Sequence, residues 1–241
     1  TLPSLCADSW ALKNLVKEIS QTYSQCLNDR ELGDEPVQYI QFSEWQNELI
    51  EEDTETGTTY WQEQNLNSLT TVTLPFENQP KHTRFNPNCW SVKIDPAIAT
   101  QLEYIADSHN TTIGEFLLTC WQIILWRMTG QSEIAIETVF HGRTYEELHE
   151  TIGLLAKWLP ICCSVRGDFK FSEILSEVNR TLKNHDQWQE YFLWEENTAS
   201  DWAQPTLRDR LFQSKKHLYH LFSSFTLNLR YRRSSFQSSY I

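Results

Sequence analysis

Apolar residues recur at every third or fourth position along much of this chain, which is the spacing of one face of an α-helix. The first such stretch has Leu12, Leu15 and Ile19 on one side and Lys13 and Lys17 on the other. Six stretches share this pattern and are predicted to be helices: residues 9–27, 39–51, 60–66, 96–107, 113–128 and 171–184.

The stretch 113–128 carries the strongest helix signals. Thr112 and Glu115 stand three residues apart at its start, which is the spacing of a capping box. Gly130 follows its end, where glycine is the usual C-terminal cap. Because the side chains between are apolar on nearly every side, we expect this helix to be central and buried.

Other stretches alternate in polarity or are rich in β-branched residues, which is typical of strands. Strands are predicted over residues 69–74, 89–94 and 133–140 and within 154–165, with a helical turn over 145–149. Because helices and strands are interleaved, the chain is predicted to belong to the α/β or α+β class.

The composition is that of a globular protein, with 40% hydrophobic and 22% charged residues. The formal net charge of −12 argues against nucleic acid and against an anionic membrane as partners, because both attract basic surfaces. No run of about 18 apolar residues is present, so we expect no membrane span. The start of the sequence lacks a basic signal region and no Cys-x-x-Cys occurs, which together predict a cytoplasmic protein.

The end of the chain differs in charge from the rest. Residues 207–241 contain seven basic residues, one acidic residue and seven serines. A basic segment of this kind is either a nucleic-acid-binding arm or an extension that does not belong to the native domain. We favour the second interpretation, so the domain is predicted to comprise residues 1–206.

Several kinds of catalytic or binding site are not encoded. The histidines and cysteines form no zinc-binding pattern, since His-Glu-x-x-His is missing and Cys162 and Cys163 are adjacent. The glycines are too scattered for a phosphate-binding loop, and the Gly-x-Ser-x-Gly turn of hydrolases is absent. We therefore expect no metal and no directly bound cofactor.

One ordered set of short motifs remains. In chain order it is PSLCADSWAL at residues 3–12, YIQFSEWQ at 39–46, YW at 60–61, RMTGQSEI at 127–134, GR at 142–143, IGLLAKWLP at 152–160 and HDQWQE at 185–190. This order and spacing resembles the condensation domains of nonribosomal peptide synthetases. The signature of that family begins with His-His-x-x-x-Asp-Gly, and the series here spans about residues 1–195.

The resemblance implies a chloramphenicol-acetyltransferase-like fold, an α+β two-layer sandwich with two similar subdomains around a tunnel. The signature of the family lies near the end of its first subdomain, so residues 1–206 are expected to be a partial condensation domain, mainly its C-terminal subdomain. The family forms an amide between a carrier-bound acyl or peptidyl thioester and an aminoacyl thioester. The implied partners are carrier (thiolation) and adenylation domains, and the substrates are held on the phosphopantetheine of the carriers.

The chain departs from the family at the catalytic position. Aligning Asp8 with the motif aspartate places Pro3 and Ser4 where the family has its two histidines, with Ser4 at the catalytic one. A serine hydroxyl lacks the near-neutral pKa that lets imidazole act as a base. We therefore expect an inactive fragment. The alternatives are a non-catalytic docking or recruitment module in the same assembly line and a decayed gene remnant.

Two further predictions concern residues near the Gly-Arg element. The resemblance implies that Asp8 forms a structural ion pair with Arg143, because a guanidinium fork can donate two hydrogen bonds to one carboxylate. His141 lies two residues before Arg143 and is the candidate to substitute as a base. Lys157 is a further departure, since it stands where the family has asparagine.

Overall fold

The computed structural model describes residues 3, 6–31, 33–52, 55–64, 66, 74–75, 87–193 and 226–232, with the backbone alone at 55, 87–93 and 226–232. The helices in this part of the chain are α1 (Ser9–Leu27), α2 (Tyr39–Glu51), α3 (Glu55–Glu63), α4 (Pro96–Ser108), α5 (Ile113–Thr129) and α6 (Phe171–Trp188). The strands are β1 (Pro87–Lys93), β2 (Glu133–Phe140), β3 (Lys157–Ser164) and β4 (Thr226–Arg232). Short 3₁₀ turns cover Glu146–Leu148 and Gln189–Tyr191.

These strands form two small sheets. β1 pairs with β4 in antiparallel fashion, in a register that runs from Pro87 opposite Arg232 to Lys93 opposite Thr226. β2 pairs with β3. Helices interleaved with strands confirm the predicted α/β class. β4 lies within residues 207–241, which the sequence predicts to be an extension outside the native domain, and that domain boundary stays a prediction.

The contacts divide the chain into two compact units. The first unit comprises Thr1–Asn65, Thr138–Leu159 and Asn184–Asn197, and the second comprises Leu66–Glu137, Pro160–Lys183 and Thr198–Ile241. Within the first unit the buried side chains of Phe42, Leu148 and Leu155 form a core, with Val37 and Trp45 packed against it. Within the second unit a separate core forms from Leu125, Ile134 and Ile136, with Leu74, Leu118, Trp121 and Trp126 around it.

The helix α5 has both of its predicted caps. The Thr112 hydroxyl accepts a hydrogen bond from the Glu115 backbone, and the Glu115 carboxylate accepts one from the Thr112 backbone. Gly130 ends the helix at a φ of 72°, in the left-handed region that favours glycine. The prediction that α5 is central and buried is confirmed for one face only, because Thr119, Gln122 and Leu125 are buried while Ile124 and Met128 are exposed. The helix packs along one face, and the apolar composition did not reveal which.

Element boundaries agree closely at four helices and less well at two. The structure confirms α1 and α2 at their predicted residues, and α4 and α5 to within one residue at the end. α3 begins at Glu55, five residues before its predicted start, and α6 continues to Trp188, four residues beyond its predicted end. The strand predicted over 69–74 lies almost wholly outside the described residues. None of the described helices is both long and apolar enough to cross a membrane.

Candidate functional site

Asp8 stands at the N-terminus of α1 and caps it. Its backbone is extended, with φ −86° and ψ −179°, so the side chain can fold back over the first turn of the helix. The Oδ1 atom accepts a hydrogen bond from the backbone N–H of Ala11 at 2.7 Å. This local cap alone is enough to restrain the position of the Asp8 carboxylate.

Asp8 and Arg143 form a bidentate ion pair. Arg143 Nη1 lies 2.8 Å from Asp8 Oδ2, and Nη2 lies 3.2 Å from Oδ1. The Arg143 side chain is 1% exposed and the Asp8 side chain 6% exposed, so water hardly screens the interaction. The structure thus brings together the two residues that the motif series singled out, although they are 135 positions apart in sequence.

The pair also fixes the loop that precedes β3. Asp8 Oδ2 accepts hydrogen bonds from the backbone N–H groups of Leu155 at 3.1 Å and Ala156 at 3.0 Å. Arg143 Nη2 donates to the carbonyl oxygens of Thr151 at 3.2 Å and Gly153 at 3.4 Å. Backbone groups therefore supply most of the further hydrogen bonds that burying an ion pair requires, whereas Arg143 Nε has no hydrogen-bond partner among the described residues.

Gly142 makes this close approach possible. Its φ is +63°, and a Cβ atom there would stand 1.9 Å from the carbonyl oxygen of Leu155. A larger residue would be strained in its own backbone and would also push the loop away. In the Gly-Arg element, Gly142 is thus needed because it has no side chain, and Arg143 is needed for its charge.

His141 lies beside the pair, and its ring has a defined hydrogen bond. The Nδ1 atom accepts the backbone N–H of Arg143 at 2.9 Å, and the ring stacks on Trp10 with centroids 5.9 Å apart. The accepting Nδ1 places the proton of the neutral ring on Nε2. Burial is the main cause that lowers the pKa of His141. In this arrangement Nε2 is a donor, which is the opposite of what a base needs.

Ser4 lies outside the described residues. The nearest described residues are Pro3 and Cys6, and the Cys6 backbone N–H donates to the Pro3 carbonyl oxygen at 3.0 Å. Among the residues that the structure does describe, no three histidine, cysteine or acidic side chains cluster closely enough to hold a metal ion.

Sequence reasoning missed a second buried ion pair. Lys157 is paired with the carboxylate of Glu190 and also donates to the Gln189 carbonyl oxygen at 3.2 Å. Gln46 donates to the same carboxylate oxygen at 3.1 Å. The Lys157 and Glu190 side chains are 17% and 4% exposed. Burial lowers the pKa of Lys157, while the negative charge of Glu190 acts in the opposite direction.

The signal for this pair was present but incomplete. Lys157 departs from the motif of the family, and Glu190 closes the last motif of the series. Nothing in the sequence links two oppositely charged residues 33 positions apart. A charged residue in an otherwise apolar strand is the cue that a buried partner must exist.

The chain matches a known family over most of its length. The family model of the condensation domain matches residues 5–220. Bacitracin synthase 2 of Bacillus licheniformis is 28% identical over 190 residues, which cover 78% of this chain and 7% of that protein. The chain thus spans a small part of the curated relatives that it matches.

Solved structures of similar fold are also known. The condensation domain from the Monacolin K polyketide synthase MokA matches with a TM-score of 0.66 and 21% identity, covering 77% of this chain and 44% of that one. The X-domain in a complex with OxyB from teicoplanin biosynthesis matches with a TM-score of 0.66 and 16% identity, covering 81% of this chain and 45% of that one. Less than half of each of these two chains has a counterpart here.

Proposed function

Because this chain belongs to the condensation-domain family, we propose that it is part of an amide-forming domain of a nonribosomal peptide synthetase and that it no longer catalyses that reaction. The proposed ancestral reaction joins a carrier-bound acyl or peptidyl thioester to the amine of a carrier-bound aminoacyl thioester. The amine nitrogen attacks the thioester carbon, and the carbon–sulfur bond breaks to release the thiolate of the donor's phosphopantetheine. A proton leaves the amine nitrogen through a base and ends on that thiolate. The proposed partners are carrier and adenylation domains, in the cytoplasm.

One observation carries the proposal of lost activity: the scaffold of the motif is intact while its base is missing. Asp8 and Arg143 form the bidentate contact that the resemblance implies, while alignment on Asp8 puts Ser4 where the family has its catalytic histidine. A positioned general base contributes typically about 10²–10⁴-fold to the rate. His141 does not make up the loss, because its Nδ1 lone pair already accepts the Arg143 N–H.

A docking or recruitment module is the second candidate. The supporting observation is the fold shared with the X-domain that has been solved in complex with OxyB. A condensation-like fold can therefore serve as a surface for another protein. The intact Asp8–Arg143 scaffold suits this role as well, since docking needs a folded surface and no base.

The test is an amide-formation assay with donor-loaded and acceptor-loaded carrier proteins, with the product followed by mass spectrometry. The 241-residue chain is compared with the same sequence inside its complete synthetase, each with serine or histidine at position 4. We expect no product from the serine forms and turnover from the complete S4H form. The matched control is T1H, which adds a histidine three residues away and is expected to stay inactive.

Other outcomes separate the candidates. Robust turnover by the serine form would overturn the proposed loss of activity. Failure of the complete S4H form, together with a retained complex with a partner protein, would favour the docking module. Failure of both turnover and complex formation would favour a decayed gene remnant.

A further inference from the structure

A groove of about 420 Å³ runs along one face of α3 in the first unit. It is lined by Thr56, Thr59, Tyr60 and Glu63 of α3 and by Trp188 at the end of α6. The four helix residues share a face because they are spaced by three and four positions. Small-molecule sites have volumes of about 300–1,000 Å³, so the groove is large enough for one. The proposed function makes no use of it.

The two aromatic residues that line the groove, Tyr60 and Trp188, are held in place by hydrogen bonds to residues behind it. The hydroxyl of Tyr60 shares a hydrogen bond of 2.7 Å with Nδ1 of His185, which is 1% exposed. Trp61 Nε1 donates to the carbonyl oxygen of Trp188 at 2.7 Å, and the Trp61 ring packs 4.4 Å from the His185 ring. A wall held by buried partners keeps its shape, which lowers the cost of ordering it around a ligand.

A third contact holds α3 itself in place. Gly57 allows the helix to approach the 3₁₀ turn that follows α6, because a Cβ atom there would stand 2.4 Å from Cγ of Tyr191. The ring of Tyr191 in turn packs on that of Trp188, with centroids 6.0 Å apart. α3 and Trp188 are therefore joined through Tyr191 by contacts that lie away from the open side of the groove.

The chemistry of the lining selects for positive charge. Tyr60 and Trp188 present two rings that are 30° from parallel, with centroids 6.3 Å apart. Glu63 supplies a carboxylate, and the threonines supply hydroxyl oxygens. None of the described lining residues is basic, and the whole chain has a net charge of −12. Aromatic faces and a carboxylate both attract a cation, whereas an anion would find no partner.

We propose that this groove binds a small organic ammonium cation. The ammonium group would lie beside the Glu63 carboxylate and over the Trp188 and Tyr60 rings, with the ligand's polar end near the threonine hydroxyls. A compact ammonium on an apolar body suits the mixed lining better than a metal ion, which would need several oxygen ligands in fixed positions.

The test uses choline as the probe and 3,3-dimethyl-1-butanol as its uncharged isostere. Both are titrated into the full chain by isothermal titration calorimetry at low salt, and saturation-transfer NMR detects weak binding. We expect choline to bind at least about fivefold more tightly than the alcohol, and E63Q to weaken choline about fivefold. The matched control is E51Q, which removes the same charge from the exposed end of α2 and is expected to change affinity less than about twofold.

Three results would overturn the assignment. These are equal binding of choline and its isostere, equal loss of choline affinity in E63Q and E51Q, and no choline binding in the millimolar range. A W188L variant adds an independent check, since it should weaken choline more than it weakens the alcohol. Because E63Q changes a solvent-exposed side chain, it is expected to fold normally, so the main comparison does not depend on W188L.

Discussion

Asp8 and Arg143 meet through two hydrogen bonds inside the first unit, with Nη1 2.8 Å from Oδ2 and Nη2 3.2 Å from Oδ1. The same carboxylate caps α1 and accepts two backbone N–H groups from the loop before β3. One acidic side chain therefore joins the start of α1 to Arg143, 135 positions away, and to the loop before β3. We expect its removal to destabilise all three contacts.

Removing either partner should destabilise the fold strongly. D8N and R143Q are each expected to lower the free energy of unfolding by about 3–5 kcal/mol, because each leaves an uncompensated buried group. Urea denaturation measures this. The matched control is R180Q, at the exposed pair of Arg180 and Glu177, where the loss should stay below about 1 kcal/mol. Equal, small effects in all three variants would contradict a structural role for the pair.

A comparison of two glycines at positive φ separates the energetic cost of backbone strain from the cost of a steric clash. Gly130 has a φ of +72° and no atom within 4 Å of a Cβ position, whereas Gly142 has a φ of +63° and the Leu155 oxygen at 1.9 Å. G130A should cost about 1–2 kcal/mol from the left-handed backbone alone. G142A should cost clearly more, since the loop bonded to Asp8 must also move. Thermal unfolding of the two variants makes the comparison, and equal costs would contradict it.

Some features of this fold and site could be predicted from the sequence, and others could not. α1 and α2 could be predicted to the residue because their apolar spacing and their boundaries agree. Asp8 and Arg143 could be paired only through the resemblance to a family, since spacing alone says nothing about contacts between distant segments. The partner of Lys157 depends on how two distant segments meet, and the acceptor role of His141 Nδ1 depends on the rotamer of its ring. Neither can be derived from the spacing of apolar residues.

The exposed face of α1 predicts self-association. Five large apolar side chains on this helix are 40–66% exposed: Leu12, Val16, Ile19, Tyr23 and Leu27. An apolar patch of this kind favours association or aggregation. We expect the isolated chain to be oligomeric or poorly soluble in light scattering at high concentration, despite its net charge of −12.

A charge introduced on the exposed apolar face of α1 should reduce self-association. I19E interrupts the apolar stripe at its centre and should shift the chain towards monomer. K13E is the control, because it changes the charge of an exposed polar position on the same helix and leaves the stripe intact. A monomeric wild-type chain, or equal effects of the two variants, would contradict the prediction.

The buried pair of Lys157 and Glu190 should behave as a unit. K157M leaves a carboxylate that is 4% exposed without its cation, and E190L leaves the ammonium without its anion. Each single change should cost about 3–5 kcal/mol, and the double variant K157M/E190L should be within about 1–2 kcal/mol of wild type. Urea denaturation of the four proteins gives the coupling energy. Additive losses would show that the two charges do not depend on each other.

His141 should make stability depend on pH. Its pKa is lowered in the folded chain, chiefly by burial, so between the folded and unfolded pKa values only the unfolded state binds the proton. The contribution is fully present above the unfolded value, about 6.5, and is lost as the pH falls below it. The charged groups that act on the ring are Asp186, Arg143, His149 and Asp8. Protonating Nδ1 would also oppose the Arg143 N–H that it now accepts.

H141N isolates this contribution. An asparagine side chain can accept the backbone N–H two residues ahead, as Nδ1 does here, and it does not titrate. The free energy of unfolding of wild type should therefore fall more steeply than that of H141N between pH 7 and pH 5, by up to about 1.4 kcal/mol per pH unit. Because His149 and the carboxylates are the same in both proteins, the difference between the two curves reports on His141 alone. Parallel curves would mean that the ring is protonated equally in the folded and unfolded chain, and the hydrogen bond from Arg143 would then not restrain it.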